Sequence, residues 1–123
     1  MPEKSEIFAA LKKTLSKYTP PCVVTSDTDS VCHLYGTKPA SVGKSSYEGI
    51  YFASAVIRKS YVAFHFFPIY THVDQFENIG ADLRKCLKGK SCFHIKKTDE
   101  LLFDQIKKAL DTGLEVYKKE GWL

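Results

Sequence analysis

YEGIYFASAVIRKSYVAFHFFPIY, residues 47–70, holds two runs rich in β-branched and aromatic residues on either side of a short polar break, Arg58-Lys59-Ser60. That pattern predicts a β-hairpin. Each arm has the length of an ordinary strand, and both are apolar enough to form the centre of a sheet that the rest of the chain must cover. In the first arm Ile50, Phe52, Ser54 and Val56 are expected on one face, and Tyr51, Ala53, Ala55 and Ile57 on the other. In the second arm Val62, Phe64 and Phe66 oppose Tyr61, Ala63, His65 and Phe67. A loop of two residues and one of three would pair these faces differently, because a one-residue slip inverts a strand. In either case Val62, Phe64 and Phe66 are expected beneath helices, with Tyr61 and His65 on the side open to solvent.

Towards the N-terminus, Ile7, Phe8, Leu11, Leu15 and Tyr18 recur at helical spacing, with Lys4, Lys12, Lys13 and Lys17 on the other faces. This predicts an amphipathic helix from about Pro2 to Tyr18, stopped by Pro20-Pro21. Strands are expected at Cys22 to Thr25 and at Val31 to Tyr35, joined by a turn over Asp27-Thr28-Asp29-Ser30, whose side chains can bond their own backbone. Gly36 to Ser46 reads as a loop. Its two glycines are spaced too widely before Lys44-Ser45 for a phosphate loop, and no long helix follows.

Beyond the hairpin, Ile69 to Ile79 reads as irregular or weakly helical. A short helix is expected from about Gly80 to Lys88, with Leu83 and Leu87 inward and Gly89 as its left-handed terminator. Ser91 to Ile95 makes a last strand. Thr98 is expected to cap a closing helix, with Asp99 and Glu100 in its first turn. The buried stripe of that helix is Leu102, Phe103, Ile106, Leu110, Leu114 and Tyr117, with Gly113 a tolerated weak point. The expected fold is α+β: a two-layer sandwich in which a mainly antiparallel sheet of about five strands is covered on one face by the N- and C-terminal helices. Residues 1–123 read as one domain, with no internal repeat.

A chain of 123 residues is expected to bury roughly two thirds of its unfolded surface. Its hydrophobic and charged contents, 44% and 26%, are those of ordinary globular proteins and leave no case for a disordered or fibrous chain. The net charge of +4, from 18 basic and 14 acidic residues, is too small to indicate nucleic acid, which is disfavoured as a partner. Arg58 and Lys59 interrupt the most hydrophobic region, so no membrane association is expected. The charged N-terminus lacks a signal-peptide core, and a cytoplasmic location is expected.

Cys22, Cys32, Cys86 and Cys92 lack the spacing of zinc or redox motifs and are expected to be free thiols, mostly buried. A metal site from Cys32, His33, Cys92 and His94 is rejected, because Cys32 and His33 are neighbours and must point to opposite faces of a strand. No cofactor is expected.

The run YFASAVIRKSYVAFHFFPIY, followed by LRKCLKGKSCFHIKK and the closing helix, resembles the YdhG-like family of bacterial domains of unknown function. The resemblance is most specific over Tyr47 to Lys97. It implies a frataxin-like arrangement and a cytoplasmic bacterial protein. One branch of that family is regarded as frataxin-like iron chaperones for iron–sulfur assembly, so the resemblance carries iron binding as an alternative. Loosely held iron(II) needs clustered carboxylates. The first helix instead sets Glu3 and Glu6 among four lysines, which would repel a cation.

Two surfaces are candidates for function. One is an aromatic and histidine face, Tyr51, Tyr61, His65, Tyr70 and His72, whose amphipathic rings suit a protein partner or self-association. The other is an anion-binding cluster, Arg84, Lys85, Lys88, Lys90, Lys96 and Lys97, although lysines in a helix's last turn also favour its negative end. Catalysis is not expected. Ser54, Ser60, Asp74 and His65 could supply a nucleophile and base on paper, but no elbow or oxyanion turn accompanies them. A small binding or interaction domain is the function these residues point to.

Overall fold

The computed structural model describes residues 4–42 and 44–123. Helix α1 (Lys4–Ser16) buries Ile7, Phe8, Leu11, Thr14 and Leu15. Pro2 and Glu3, at the start of the expected helix, lie outside the described residues. The helix stops before Tyr18, which is buried all the same and donates from its phenol to Asp111 at 2.7 Å.

Strands β1 (Val23–Asp27) and β2 (Val31–Tyr35) form the first hairpin. Its turn is shorter than expected. Asp27 stays in the strand and pairs with Lys12 of α1, while the Thr28 hydroxyl accepts from the Ser30 and Val31 N–H groups. Within the expected loop, β3 (Ala40–Val42) and β4 (Ser45–Tyr47) pair as a separate two-stranded ribbon. A polar composition does not remove the need of backbone N–H and C=O groups for partners, and here they find each other.

The central hairpin is β5 (Tyr51–Ile57) and β6 (Val62–Phe66). Its loop has two residues, Lys59 and Ser60: Arg58 N–H donates to the Tyr61 carbonyl at 2.9 Å, and Ile57 faces Val62. Then come α2 (Pro68–Thr71), a 3-10 turn (Val73–Phe76), α3 (Ala81–Cys86), β7 (Leu87–Lys88), β8 (Cys92–Ile95) and α4 (Glu100–Lys119). The expected Gly80–Lys88 helix is therefore cut short, because Leu87 and Lys88 pair with β8. Gly89, with φ 86°, turns the β7–β8 hairpin and does not terminate the helix. Asp99, not Thr98, caps α4 by accepting from Leu102 N–H.

The main sheet has six strands in the order β1-β2-β5-β6-β8-β7, every pairing antiparallel. Ala53, Ala55 and Ile57 share the helix-covered face with Leu34, Phe64, Phe66 and Phe93. The expected division of β5 is overturned by a bulge. Leu34 faces Ala53 but Tyr35 faces Tyr51, so Phe52 is the extra residue and points inward beside Ala53. There its ring meets Tyr18, Phe66 and Tyr117. Ser54 and Val56, grouped with Phe52 by simple alternation, lie on the opposite side.

Both α1 and α4 pack over that inward face. Along α4, Leu102, Phe103, Ile106, Leu110 and Tyr117 are buried, as expected, while Leu114 is half-buried. Gly113 is more than a weak point, since a Cβ there would come within 2.8 Å of the Phe66 ring and 3.0 Å of Pro68. The α+β class and two-layer arrangement are thus present, with helices on one side of an antiparallel sheet. No helix among the described residues is long and apolar enough to cross a membrane.

Candidate functional site: the open face of the sheet

The two-residue loop and the bulge together decide what the second face displays. Three cross-strand rows cover it. The first is aromatic: Tyr35 and Tyr51 have ring centroids 5.2 Å apart, Tyr51 and Phe67 5.8 Å, and Phe67 and Tyr70 5.4 Å. The rings lean on one another at 26–36°, so much of each ring is covered by the next; Tyr70 is exposed at the end of the row, while the Tyr51 phenol bonds to the buried Ser54.

The second row is polar throughout. Ser26, His33, Ser54, His65, Cys92 and Lys88 are successive cross-strand partners from β1 to β7. In the third row Val31, Val56, Ala63 and His94 are partners, and Tyr61 stacks on His94 at 3.7 Å. Arg58 and Tyr61 stand opposite each other at the hairpin loop.

Small side chains make this arrangement possible. Ser54 and Ala63 are completely buried at the centre, roofed by the larger side chains around them. Ser54 is hydrogen-bonded to the Tyr51 phenol, whose ionisation burial pushes up to about 12. The paper arrangement of Ser54 with His65 is realised as a cross-strand pair, but Ser54 is sealed from solvent and Asp74 lies on the 3-10 turn.

The face is electrically one-sided. Among the described residues, none of the row positions holds a carboxylate, while Arg58 and Lys88 are cationic. Burial lowers the affinity of His65 for a proton, and Arg58, His33 and His94 lower it further. His94 is lowered by desolvation and by Lys88 and Lys96. Both imidazoles are therefore neutral at pH 7, each offering one donor and one acceptor. The Nδ1 atom of His33 is buried without a protein partner.

The expected site residues separate. Tyr51, Tyr61 and His65 share the open face, and Tyr70 continues its aromatic row. His72 does not belong to it: its ring lies 5.5 Å from Trp122, its Nδ1 is 2.8 Å from the Thr71 hydroxyl, and its Nε2 is 3.8 Å from Glu120. The basic cluster also divides. Lys85, Lys88, Lys96 and Lys97 line one depression with His94, whereas Arg84 and Lys90 line a different groove. Sequence reading missed His33, Tyr35, Arg58, Cys92 and His94 as members of the face. For all but Arg58 the signal was available in Val31–Tyr35 and Cys92–Ile95, where His33, Tyr35, Cys92 and His94 alternate with Cys32, Leu34, Phe93 and Ile95, all buried.

Cys22 and Cys32 are buried and Cys86 and Cys92 half-buried, all four as free thiols. Burial pushes the Cys22 thiol up to about 12. Cys32 lies in the core cluster and His33 on the opposite face, as their adjacency requires. No group of three or more His, Cys, Asp or Glu side chains among the described residues is placed to hold a metal ion. Iron as a cargo meets no carboxylate ridge on α1, where Glu6 stands among Lys4, Lys12 and Lys13. No family model, curated protein or solved structure matches the chain.

Proposed function

We propose that this protein is a small non-enzymatic binding domain that receives an acidic protein partner on the open face of its sheet. The observation that carries this reading is a sheet face that combines the continuous row from Tyr35 to Tyr70 with the cations Arg58 and Lys88 and, among the described residues, has no carboxylate at its row positions. Tyrosine edges and arginine are favoured in protein interfaces because they combine large contact area with hydrogen bonding. Neutral His65 and His94 add donors and acceptors without repelling either sign of charge. A second copy of the chain docked face to face would bring Arg58 and Lys88 against their own kind, which favours a different, acidic partner.

The proposal keeps the sequence resemblance to the YdhG-like family, with the frataxin-like fold and the cytoplasmic bacterial setting that the resemblance implies; a helix layer on an antiparallel sheet is the α+β class such a fold requires. The iron-chaperone role attached to one branch of that family has no support in the charge of α1.

The test uses the tagged wild-type protein as bait in parallel with an R58E/K88E variant, both changes being at exposed positions. An acidic protein retained by the wild type, lost by the variant, released by salt and rebinding after purification supports the reading. Equal retention by both proteins, or concentration-dependent self-association that the variant leaves intact, overturns it. Retention of polyanionic nucleic acid in place of protein would do the same.

A further inference from the structure

Tyr70 and Val73, respectively 48% and 62% exposed, are two of the most exposed large apolar side chains among the described residues. Both line a half-open groove of about 400 Å³. Buried Phe76 and half-buried Leu87 complete its apolar wall. The volume falls within the roughly 300–1,000 Å³ of small-molecule sites.

Among the described residues its charged groups are three. Arg84 is held in place because its Nη2 donates to the Phe76 carbonyl at 2.8 Å and to the Glu77 carbonyl at 3.2 Å. Its remaining N–H groups are left for another acceptor. Lys90 carries its ammonium 5.6 Å from the centre of the Tyr70 ring. Glu77 supplies the single carboxylate on the lining. Two cations against one anion leave the rim with one unit of positive charge beside an apolar floor.

We infer that this groove is a binding site for an amphiphilic carboxylate, a small molecule with one negative head and an apolar body of about medium-chain acyl size. The body lies along Tyr70, Val73 and Phe76, and the head meets Lys90 and the free edge of the Arg84 guanidinium. The carboxylate fits the net rim charge, whereas a phosphate dianion would exceed it and be repelled by Glu77. A cationic amphiphile would face Arg84 and Lys90. This site shares Tyr70 with the aromatic row of the open face but neither Arg58 nor Lys88, so the two readings can fail separately.

The test is a titration of the isotopically labelled protein with monomeric decanoate, followed by backbone amide shifts, with decan-1-ol and decyltrimethylammonium as matched probes. Decanoate is expected to give saturable shifts centred on Val73, Leu87, Gly89 and Lys90. The alcohol should bind about tenfold more weakly, the loss expected of one charge-assisted hydrogen bond, and the cation should give no saturation. K90E should lose the preference for carboxylate over alcohol, and V73E should weaken both probes. Both positions are exposed, and an otherwise unchanged amide spectrum checks that each variant folds. Equal binding of decanoate and decanol, no saturation with any probe, or a folded K90E that retains the preference overturns the proposal. Retention of decanoate binding by R58E/K88E separates this result from the fate of the sheet face.

Discussion

The Tyr117 phenol donates a 2.9 Å hydrogen bond to the backbone carbonyl of Tyr51, linking the closing helix to the strand residue whose own ring lies on the open face. Tyr51 sits at the β-bulge, where Leu34 faces Ala53 and Tyr35 faces Tyr51. A bulge leaves one residue out of the ladder, and Tyr117 satisfies a carbonyl beside it. Burial raises the Tyr117 phenol far above its ordinary pKa, so it remains a donor at any physiological pH. The bond therefore helps to hold Phe52 inward and Tyr51 outward, and so to fix the aromatic row.

Removing the hydroxyl while keeping the ring tests this. Tyr117→Phe is expected to destabilise the protein by about 1–2 kcal/mol, the cost of leaving a buried acceptor unmatched. Urea unfolding should show a lower midpoint with unchanged slope. Stability equal to wild type would mean that the carbonyl finds another partner and that the bulge holds without the phenol.

Gly113 offers a case in which helix propensity and packing oppose each other. Alanine is the better helix former by about 1 kcal/mol, but its methyl would press on Phe66 at 2.8 Å and Pro68 at 3.0 Å. Packing should win in this close-packed interior, and Gly113→Ala is expected to cost about 1–3 kcal/mol net. Calorimetry showing a raised melting temperature would place α4 further from the sheet than described.

Acid should weaken the fold through His65. Its pKa is lowered in the folded state, first by burial and then by Arg58 from the hairpin loop, His33 from β2 and His94 from β8. Above the ordinary value of 6.5 the ring is neutral whether folded or unfolded and contributes nothing. As pH falls through 6.5 towards the lower native value, the unfolded chain takes the proton first and stability declines. Below the native value the decline from this group ends. Denaturant midpoints at about pH 7.5 and about pH 5 span that window, and His65→Gln should reduce the difference between them. An undiminished difference would assign the acid response to other groups, His94 being the next to compare.

Iron distinguishes the binding-domain reading from the chaperone alternative. Anaerobic calorimetry with iron(II) is expected to show no stoichiometric heat at micromolar protein, because Glu6 stands among lysines and the described residues hold no gathered ligand set. Tight, stoichiometric uptake would restore the chaperone role in place of the acidic-partner reading.

Local chemistry was enough to determine the first and last helices, the central hairpin and the layering. Apolar spacing of 3.6 in Ile7, Phe8, Leu11 and Leu15 and in Leu102, Ile106 and Leu110 dictates helices with one buried stripe, and the β-branched and aromatic arms dictate the hairpin. Val62, Phe64 and Phe66 could be placed under the helices on alternation alone. The composition of the open face depended on events that alternation does not contain. The bulge at Phe52 reversed the parity of β5, and the two-residue loop then aligned Ser54 with His65. Pairing with β8 drew Leu87 and Lys88 out of the helix, while Trp122 held His72 among the helices. Strand pairing makes neighbours of residues as distant in sequence as Tyr61 and His94. Which polar groups become neighbours on the finished surface was therefore settled by long-range register, and by no short window of the chain.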